Sequence, residues 1–180
     1  MWLWVGEYPR AWKGGTGSAK FGGNYSSNLV PEGEAGAHAC DLVLYLDNDG
    51  YVQESGTMNI FAITSEDELV TPSVGTILEG VTRASVLSLA AAHRLTPVER
   101  RFSFDELKSS CASGKIREIF AVGTAAVVNP ILGIKGPECE VIVSDGLPGP
   151  KSLALRDHLL DIQYGRAPDR FDWMVEIPLP

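Results

Sequence analysis

The stretch 14-GGTGSAKFGGNY-25 sets a single lysine, Lys20, among five glycines, and a tyrosine, Tyr25, follows five residues later. Two phosphate-binding patterns can be tested against this spacing. A P-loop requires Gly-Lys followed by Ser or Thr, whereas here Ala19 precedes the lysine and Phe21 follows it. A dinucleotide-binding fingerprint requires a third glycine at the position of the lysine. The spacing fits neither pattern, which leaves a solvated or flexible loop and a reactive lysine as alternatives.

Composition and charge narrow the class of protein. The 180 residues are 44% apolar and 8% aromatic, which is typical of a globular chain. A net charge of −8 argues against a nucleic-acid partner and against an anionic membrane surface. The three cysteines and three histidines are dispersed and show no metal-ligand spacing. We therefore expect no nucleic acid, no membrane and no metal site.

Turn signals divide the chain into short strands and a few helices. Asp49-Gly50 between two apolar runs predicts a hairpin. A helix is predicted over 80–95, with Thr82 as its cap, and another over 150–164, followed by Gly165. The other predicted elements are a strand at 1–8, strand pairs over 58–72 and 117–130, a strand over 97–104 and a short helix over 105–113. Strand pairs mixed with helices favour an α+β class with a mixed, barrel-like sheet and flanking helices.

Three further glycine turns each contain a threonine. They are 54-ESGTMN-59, 80-GVTR-83 and 123-GTAA-126. The second turn opens a helix, whose N-terminal amides and dipole favour an anion. With Lys20 and Glu54, these turns suit a phosphorylated cofactor that carries an aldehyde. Pyridoxal 5'-phosphate is such a cofactor, since a lysine binds its aldehyde and an acid partners its ring nitrogen.

At these residues the chain resembles the branched-chain amino-acid aminotransferases, of the fold type IV group of pyridoxal-phosphate enzymes. The resemblance runs from about Arg10 to Trp173. It rests on 11-AWKGGTGSAKFGGNY-25, 54-ESGTMN-59, 80-GVTR-83, 123-GTAA-126 and 161-DIQYG-165. D-amino-acid aminotransferases and aminodeoxychorismate lyases share the fold, and 22-GGNY-25 favours the branched-chain enzymes over both.

The resemblance implies a role for each motif residue. By this resemblance, Lys20 is the Schiff-base lysine, Tyr25 bonds the cofactor's phenolic oxygen, and Glu54 faces the pyridine nitrogen. The backbone amides of Val81 and Thr82, with the Thr124 hydroxyl, hold the phosphate. Thr57 and Ala125 lie beside the substrate carboxylate. Each residue also has an ordinary interpretation. Taken singly, Tyr25 also fits a half-buried core position, Glu54 a solvated turn, and the threonines strands or a helix cap. The joint pattern, in the right order, decides against these interpretations.

The implied function is transamination between branched-chain L-amino acids (Leu, Ile, Val) and 2-oxoglutarate, in a homodimer located in the cytoplasm or mitochondrion. The family places a smaller domain before the segment seen here. Residues 1–180 are therefore expected to form the cofactor-binding domain alone. The rival hypothesis is a truncated, inactive fragment that retains only the cofactor-binding fold. Residues 29–37, with one proline and two glycines, predict a weak or kinked helix.

Overall fold

The computed structural model describes residues 1–178, which form ten strands, five α-helices and one 3-10 turn. The strands are β1 (Trp2–Val5), β2 (Leu42–Leu46), β3 (Val52–Ser55), β4 (Met58–Thr64), β5 (Glu68–Thr71), β6 (Thr96–Glu99), β7 (Ile116–Gly123), β8 (Val127–Ile131), β9 (Gly133–Gly136) and β10 (Cys139–Ile142). The helices are α1 (Gly22–Ser26), α2 (Leu29–Ala37), α3 (Val81–Leu89), α4 (Phe104–Ala112) and α5 (Pro150–Gln163), and the 3-10 turn Ala90–His93 extends α3.

All ten strands belong to one mixed sheet. Its main path runs β10-β9-β1-β2-β3-β4-β5-β6, and β7 joins at β4 and carries β8. Strand β1 is parallel to both of its neighbours, β2 and β9. Strands β2, β3 and β4 form an antiparallel meander, and β4 is also antiparallel to β7. The sheet therefore branches at β4, which pairs with β3, β5 and β7.

One face of the sheet lines a single apolar cluster. Every strand contributes to this cluster, from Leu3 on β1 to Val141 on β10, and Val98 of β6 packs at its margin. Helix α4 adds Phe104 and Leu107 to it. Because all ten strands turn one face towards the same interior, the sheet must curve around it. The predicted α+β class, with a barrel-like mixed sheet, is confirmed.

Helices cover the outer face. Phe61 of β4 stacks on Phe120 of β7, with ring centroids 5.4 Å apart, and both are buried beneath α3 and α5. Helix α2 places Ala35 against Val43 and Tyr45 of β2 in a third cluster. Alternate residues of the strands thus face the interior and the helices, as the period of a β-strand requires.

Two predicted glycine positions are confirmed, and one predicted helix cap is wrong. Gly50 has a φ of 79°, as the predicted hairpin turn needs, and Gly165 has a φ of 68° after α5. The assignment of Thr82 as a helix cap is wrong: Gly80 is the cap residue, and Thr82 lies in the first turn of α3. The weak segment forms helix α2, because Pro31 lies in its first turn, where a missing N–H leaves no bond unmade.

Within residues 1–178, the longest apolar helical stretches are too short or too polar to cross a bilayer. Over the same residues, no three or more His, Cys, Asp or Glu side chains come together in a way that could hold a metal ion.

Candidate active site

The glycine-rich loop is fastened by one buried asparagine. Asn24 lies in α1, is 7% exposed, and donates from Nδ2 to the carbonyl oxygens of Thr16 (2.7 Å) and Ala19 (3.0 Å). Its Oδ1 accepts from the Thr16 hydroxyl at 2.7 Å. Three hydrogen bonds from one side chain therefore fix the backbone on both sides of the turn that precedes Lys20.

The side chain of Lys20 is exposed at the end of this loop, immediately before α1. Tyr25 is half-buried within α1. In the described part of the chain, neither side chain has a hydrogen-bond or ion-pair partner. The amine and the phenol are thus both free to meet a ligand.

Glu54 is the most enclosed of the sequence-predicted site residues, at 2% exposed on β3. Its Oε1 accepts from the Leu78 N–H at 2.9 Å and from Nδ2 of Asn59 at 3.2 Å. Its Oε2 pairs with Nη1 of Arg10 at 2.7 Å. This network rules out a solvated turn residue as the interpretation of Glu54.

Burial raises the pKa of Glu54 to about 7, against the opposing effects of the Arg10 charge and the Leu78 N–H. A carboxylate loses its hydration when it is buried, so the neutral acid is favoured. The nearby guanidinium and the amide hydrogen bond favour the anion. Their balance places the proton equilibrium of Glu54 near neutral pH.

The network also positions the N-terminus of α3. Asn59 donates to the Leu78 carbonyl oxygen at 2.9 Å, and a Cβ on Gly80 would lie only 2.3 Å from Oδ1 of Asn59. Glycine is therefore required where the chain enters the helix. Val81 follows and is 75% exposed, whereas Thr82 is buried. Across the described residues, the N–H groups of Val81 and Thr82 have no acceptor, as is usual for a first helical turn.

Two hairpin turns meet at the same end of the sheet. Thr57 lies in the turn between β3 and β4, and Thr124 and Ala125 lie in the turn between β7 and β8. The two hairpins are joined because β4 pairs with β7, with Asn59 opposite Val122. All three turn residues are exposed. The structure thus brings Thr57, Thr124 and Ala125 to the sheet end where Glu54 and the start of α3 are held.

Arg10 and Asn59 were not singled out from the sequence, although they make most of the side-chain contacts of Glu54. A usable signal existed, because Glu54 stands between two apolar runs and a carboxylate buried there needs a cation or several donors. Sequence alone gives no indication of which cation, since Arg10 lies far away along the chain.

The residues present fit pyridoxal phosphate. An exposed amine on Lys20 suits an aldehyde, the open amides of α3 suit a phosphate, and a buried carboxylate suits a protonated ring nitrogen. Of about four acceptor positions on the Glu54 carboxylate, donors within residues 1–178 fill three and leave one on Oε2 open. The site can therefore accept one further donor at its base.

The chain is similar to known proteins of one family. The family model described as amino-transferase class IV matches residues 11–134. A branched-chain-amino-acid aminotransferase of Mycobacterium tuberculosis is 43% identical over 182 residues, which cover 97% of this chain and 50% of the relative. The chain thus spans about half the length of that relative.

Solved structures give the same result. The branched-chain amino acid aminotransferase from Escherichia coli superposes with a TM-score of 0.83 at 27% identity, over 96% of this chain and 56% of the other. A second branched-chain amino acid aminotransferase, solved in complex with N-(5'-phosphopyridoxyl)-L-glutamate, gives a TM-score of 0.80 at 30% identity, over 92% and 53%. The resemblance to fold type IV enzymes is confirmed, and the chain belongs to the class IV aminotransferase family.

Proposed function

We propose that the protein carries out pyridoxal-phosphate-dependent transamination between branched-chain L-amino acids and 2-oxoglutarate, with Lys20 as the Schiff-base lysine. The observation that carries this proposal is the buried carboxylate of Glu54, fixed by Arg10, Asn59 and the Leu78 amide beside the open start of α3. A carboxylate so enclosed, with one acceptor position unused, suits a protonated nitrogen heterocycle.

When bound, pyridoxal phosphate supplies an electron-withdrawing ring that acidifies the Cα–H bond of an amino acid attached to it. Each residue of the chain then has a defined task. Lys20 would hold the cofactor at its aldehyde carbon, and its Nζ, when free, would take the proton from the substrate Cα. Glu54 keeps a proton on the ring nitrogen. The Val81 and Thr82 amides and the Thr124 hydroxyl bind the phosphate, and Tyr25 donates to the phenolic oxygen.

The proposed substrates are taken from the names of similar proteins and not from the residues of this chain. The similar proteins are named for branched-chain amino acids, and the second of the two solved structures contains a phosphopyridoxyl adduct of glutamate, the amino form of 2-oxoglutarate. Thr57 and Ala125 are the residues proposed to lie beside the substrate carboxylate. We further propose that residues 1–180 form one cofactor-binding domain and act in a homodimer.

Reduction with borohydride tests the proposal directly. The 180-residue chain is incubated with pyridoxal phosphate and reduced, and the added mass is located by peptide mass spectrometry. We expect the label on Lys20. Lys20→Ala should abolish it, whereas Lys13→Ala, a matched change at another exposed lysine of the same loop, should leave it in place. Transamination of leucine with 2-oxoglutarate is then assayed with the same three proteins.

Two results would contradict the proposal. One is the absence of any label. The other is a label scattered over surface lysines that persists in Lys20→Ala. Either result would favour the rival hypothesis, in which the chain keeps the cofactor-binding fold without catalytic function.

A further inference from the structure

Arg10 is a buried arginine that contacts both halves of the candidate site. It is 8% exposed, and its Nη1 lies 2.7 Å from Oε2 of Glu54. The same Nη1 donates a longer hydrogen bond, of 3.4 Å, to the carbonyl oxygen of Gly17 in the glycine-rich loop. Arg10 therefore joins the acid on β3 to the loop that presents Lys20.

The loop is packed tightly where Arg10 reaches it. A Cβ on Gly17 would lie 2.0 Å from the Thr76 carbonyl oxygen, so the two backbones approach each other as closely as only glycine permits. Gln53, next to Glu54 on β3, donates to the Thr76 hydroxyl at 3.1 Å. The loop, Arg10 and β3 thus form one packed unit rather than an ion pair at a mobile surface.

The pattern of contacts on Glu54 distinguishes its two oxygens. Oε1 has two donors, the Leu78 amide and Asn59, which fill its acceptor positions. Oε2 has Arg10 as its protein donor and keeps one position. A proton on Glu54 would occupy this remaining position, and the neutral acid would then attract the Arg10 guanidinium less strongly than the carboxylate does.

We propose that Arg10 is a positioning residue that favours the carboxylate form of Glu54 and directs the remaining acceptor position of Oε2 towards the ring nitrogen of the bound cofactor. Only the second part of this role, the contact with the ring nitrogen, rests on the proposed function. The effect of Arg10 on the ionisation of Glu54 is a property of the chain without cofactor.

The physical reason is the enclosure of the site. A carboxyl group at 2% exposure has little water to stabilise its charge, so the neutral form prevails unless a cation is close. A neutral Glu54 could not stabilise a proton on the cofactor ring. Within residues 1–178 the charged group paired with Glu54 is Arg10, which makes this one side chain responsible for the charge of the acid.

The first test measures Glu54 without cofactor. The chain is labelled with ¹³C at the glutamate carboxyl carbons, Glu54→Gln assigns the signal, and its midpoint is followed by NMR as a function of pH. Arg10→Gln is expected to raise the midpoint by about 1 to 3 pH units, the usual effect of losing an opposite charge at contact distance. Arg10→Lys, which keeps the charge, should return it towards the wild-type value.

The matched control is Arg83→Gln. Arg83 is also a buried arginine paired with a glutamate, but its partners are Glu99 and the Pro72 carbonyl oxygen rather than Glu54. It should leave the Glu54 midpoint unchanged. Arg10→Met, which keeps the apolar stem, replaces Arg10→Gln if the latter does not fold. A midpoint that stays within about 0.3 pH units of wild type in the uncharged Arg10 variant would overturn the proposal.

The second test measures the ring nitrogen directly. Pyridoxal phosphate labelled with ¹⁵N in the ring is bound to the wild type and to Arg10→Gln, and the ¹⁵N chemical shift reports whether that nitrogen is protonated. We expect a protonated nitrogen at neutral pH in the wild type and a largely unprotonated one in the variant. An identical shift in both would overturn the proposal. Failure of the wild type to bind the cofactor would instead refute the proposed function, while the carboxyl titration would still decide the role of Arg10 in ionising Glu54.

Discussion

Replacement of Asn24 by alanine should weaken cofactor binding while leaving the sheet folded. The two Nδ2 bonds to Thr16 and Ala19 are nearly enclosed and contribute about 1 kcal/mol each. The bond from the Thr16 hydroxyl is discounted to about 0.5 kcal/mol because Thr16 is exposed and water can replace its partner. The sum is about 2.5 kcal/mol of loop order. If cofactor binding must restore that order, the affinity falls by about 60-fold.

The assay is a fluorescence titration with pyridoxal phosphate, with urea unfolding measured in parallel. Asn24→Asp should lower the affinity for the cofactor more than Asn24→Ala does, because a carboxylate oxygen would then face the two carbonyl oxygens to which Nδ2 now donates. Ser26→Ala is the control, since Ser26 lies in the same helix and its exposed hydroxyl donates to the Gly23 carbonyl oxygen, away from the glycine-rich loop. Equal dissociation constants for Asn24→Ala and Ser26→Ala would refute the reasoning.

Three further predictions concern stability. Glu118→Gln should lower the free energy of unfolding by about 2 kcal/mol in urea, because this buried carboxylate accepts two N–H groups, at 3.0 and 2.8 Å, from the first turn of α5. Gly17→Ala should cost about 1 to 3 kcal/mol and reduce cofactor uptake, because its Cβ would meet the Thr76 carbonyl oxygen. His93 lies 2.9 Å from His158, and burial, with the nearby His158 and Lys151 charges, lowers the pKa of His93 below 6.5. The stability that this neutral imidazole contributes above pH 6.5 should therefore decline as the pH falls. His93→Gln should remove that decline.

The first two of these predictions each have a control. Glu140→Gln, at an exposed position on β10, should change the free energy of unfolding by less than about 0.5 kcal/mol. Gly33→Ala, with open space around it in α2, should be neutral or stabilising. Stability equal to wild type in Glu118→Gln or Gly17→Ala would contradict the contacts described, and so would an unchanged acid dependence in His93→Gln.

Local signals predicted the elements well because they depend on neighbouring residues. The Asp49-Gly50 turn, Pro150 at the first position of α5 and Gly165 after its end all lie where the sequence indicated. Thr82 shows the limit of such signals. A threonine near a helix start favours the cap position, but here the close approach of Asn59 to the backbone requires glycine two residues earlier.

Long-range pairing could not be predicted from the sequence. Strands β9 and β10 contain glycine, lysine and glutamate, so neither has the apolar run that marks a strand, and they form because β9 pairs with β1 and β10 pairs with β9. The contact between Arg10 and Glu54 is also long-range, so the sequence alone does not predict it. The motif residues Lys20, Tyr25 and Glu54 were singled out from the sequence, their detailed roles were implied by the resemblance, and those roles stay predictions.

The position of β1 has a consequence for how the chain folds. This strand of four residues pairs with β9, where Trp2 lies opposite Gly133, and with β2, where Leu3 lies opposite Leu42. Its two partners therefore come from distant parts of the chain. Contacts of such sequence separation slow folding, because a long loop must close before they form. During synthesis, the segment carrying Arg10, Lys20 and Glu54 emerges well before β9 does. The sheet edge next to β1 then stays unpaired, and an unpaired edge of this kind favours aggregation of the nascent chain.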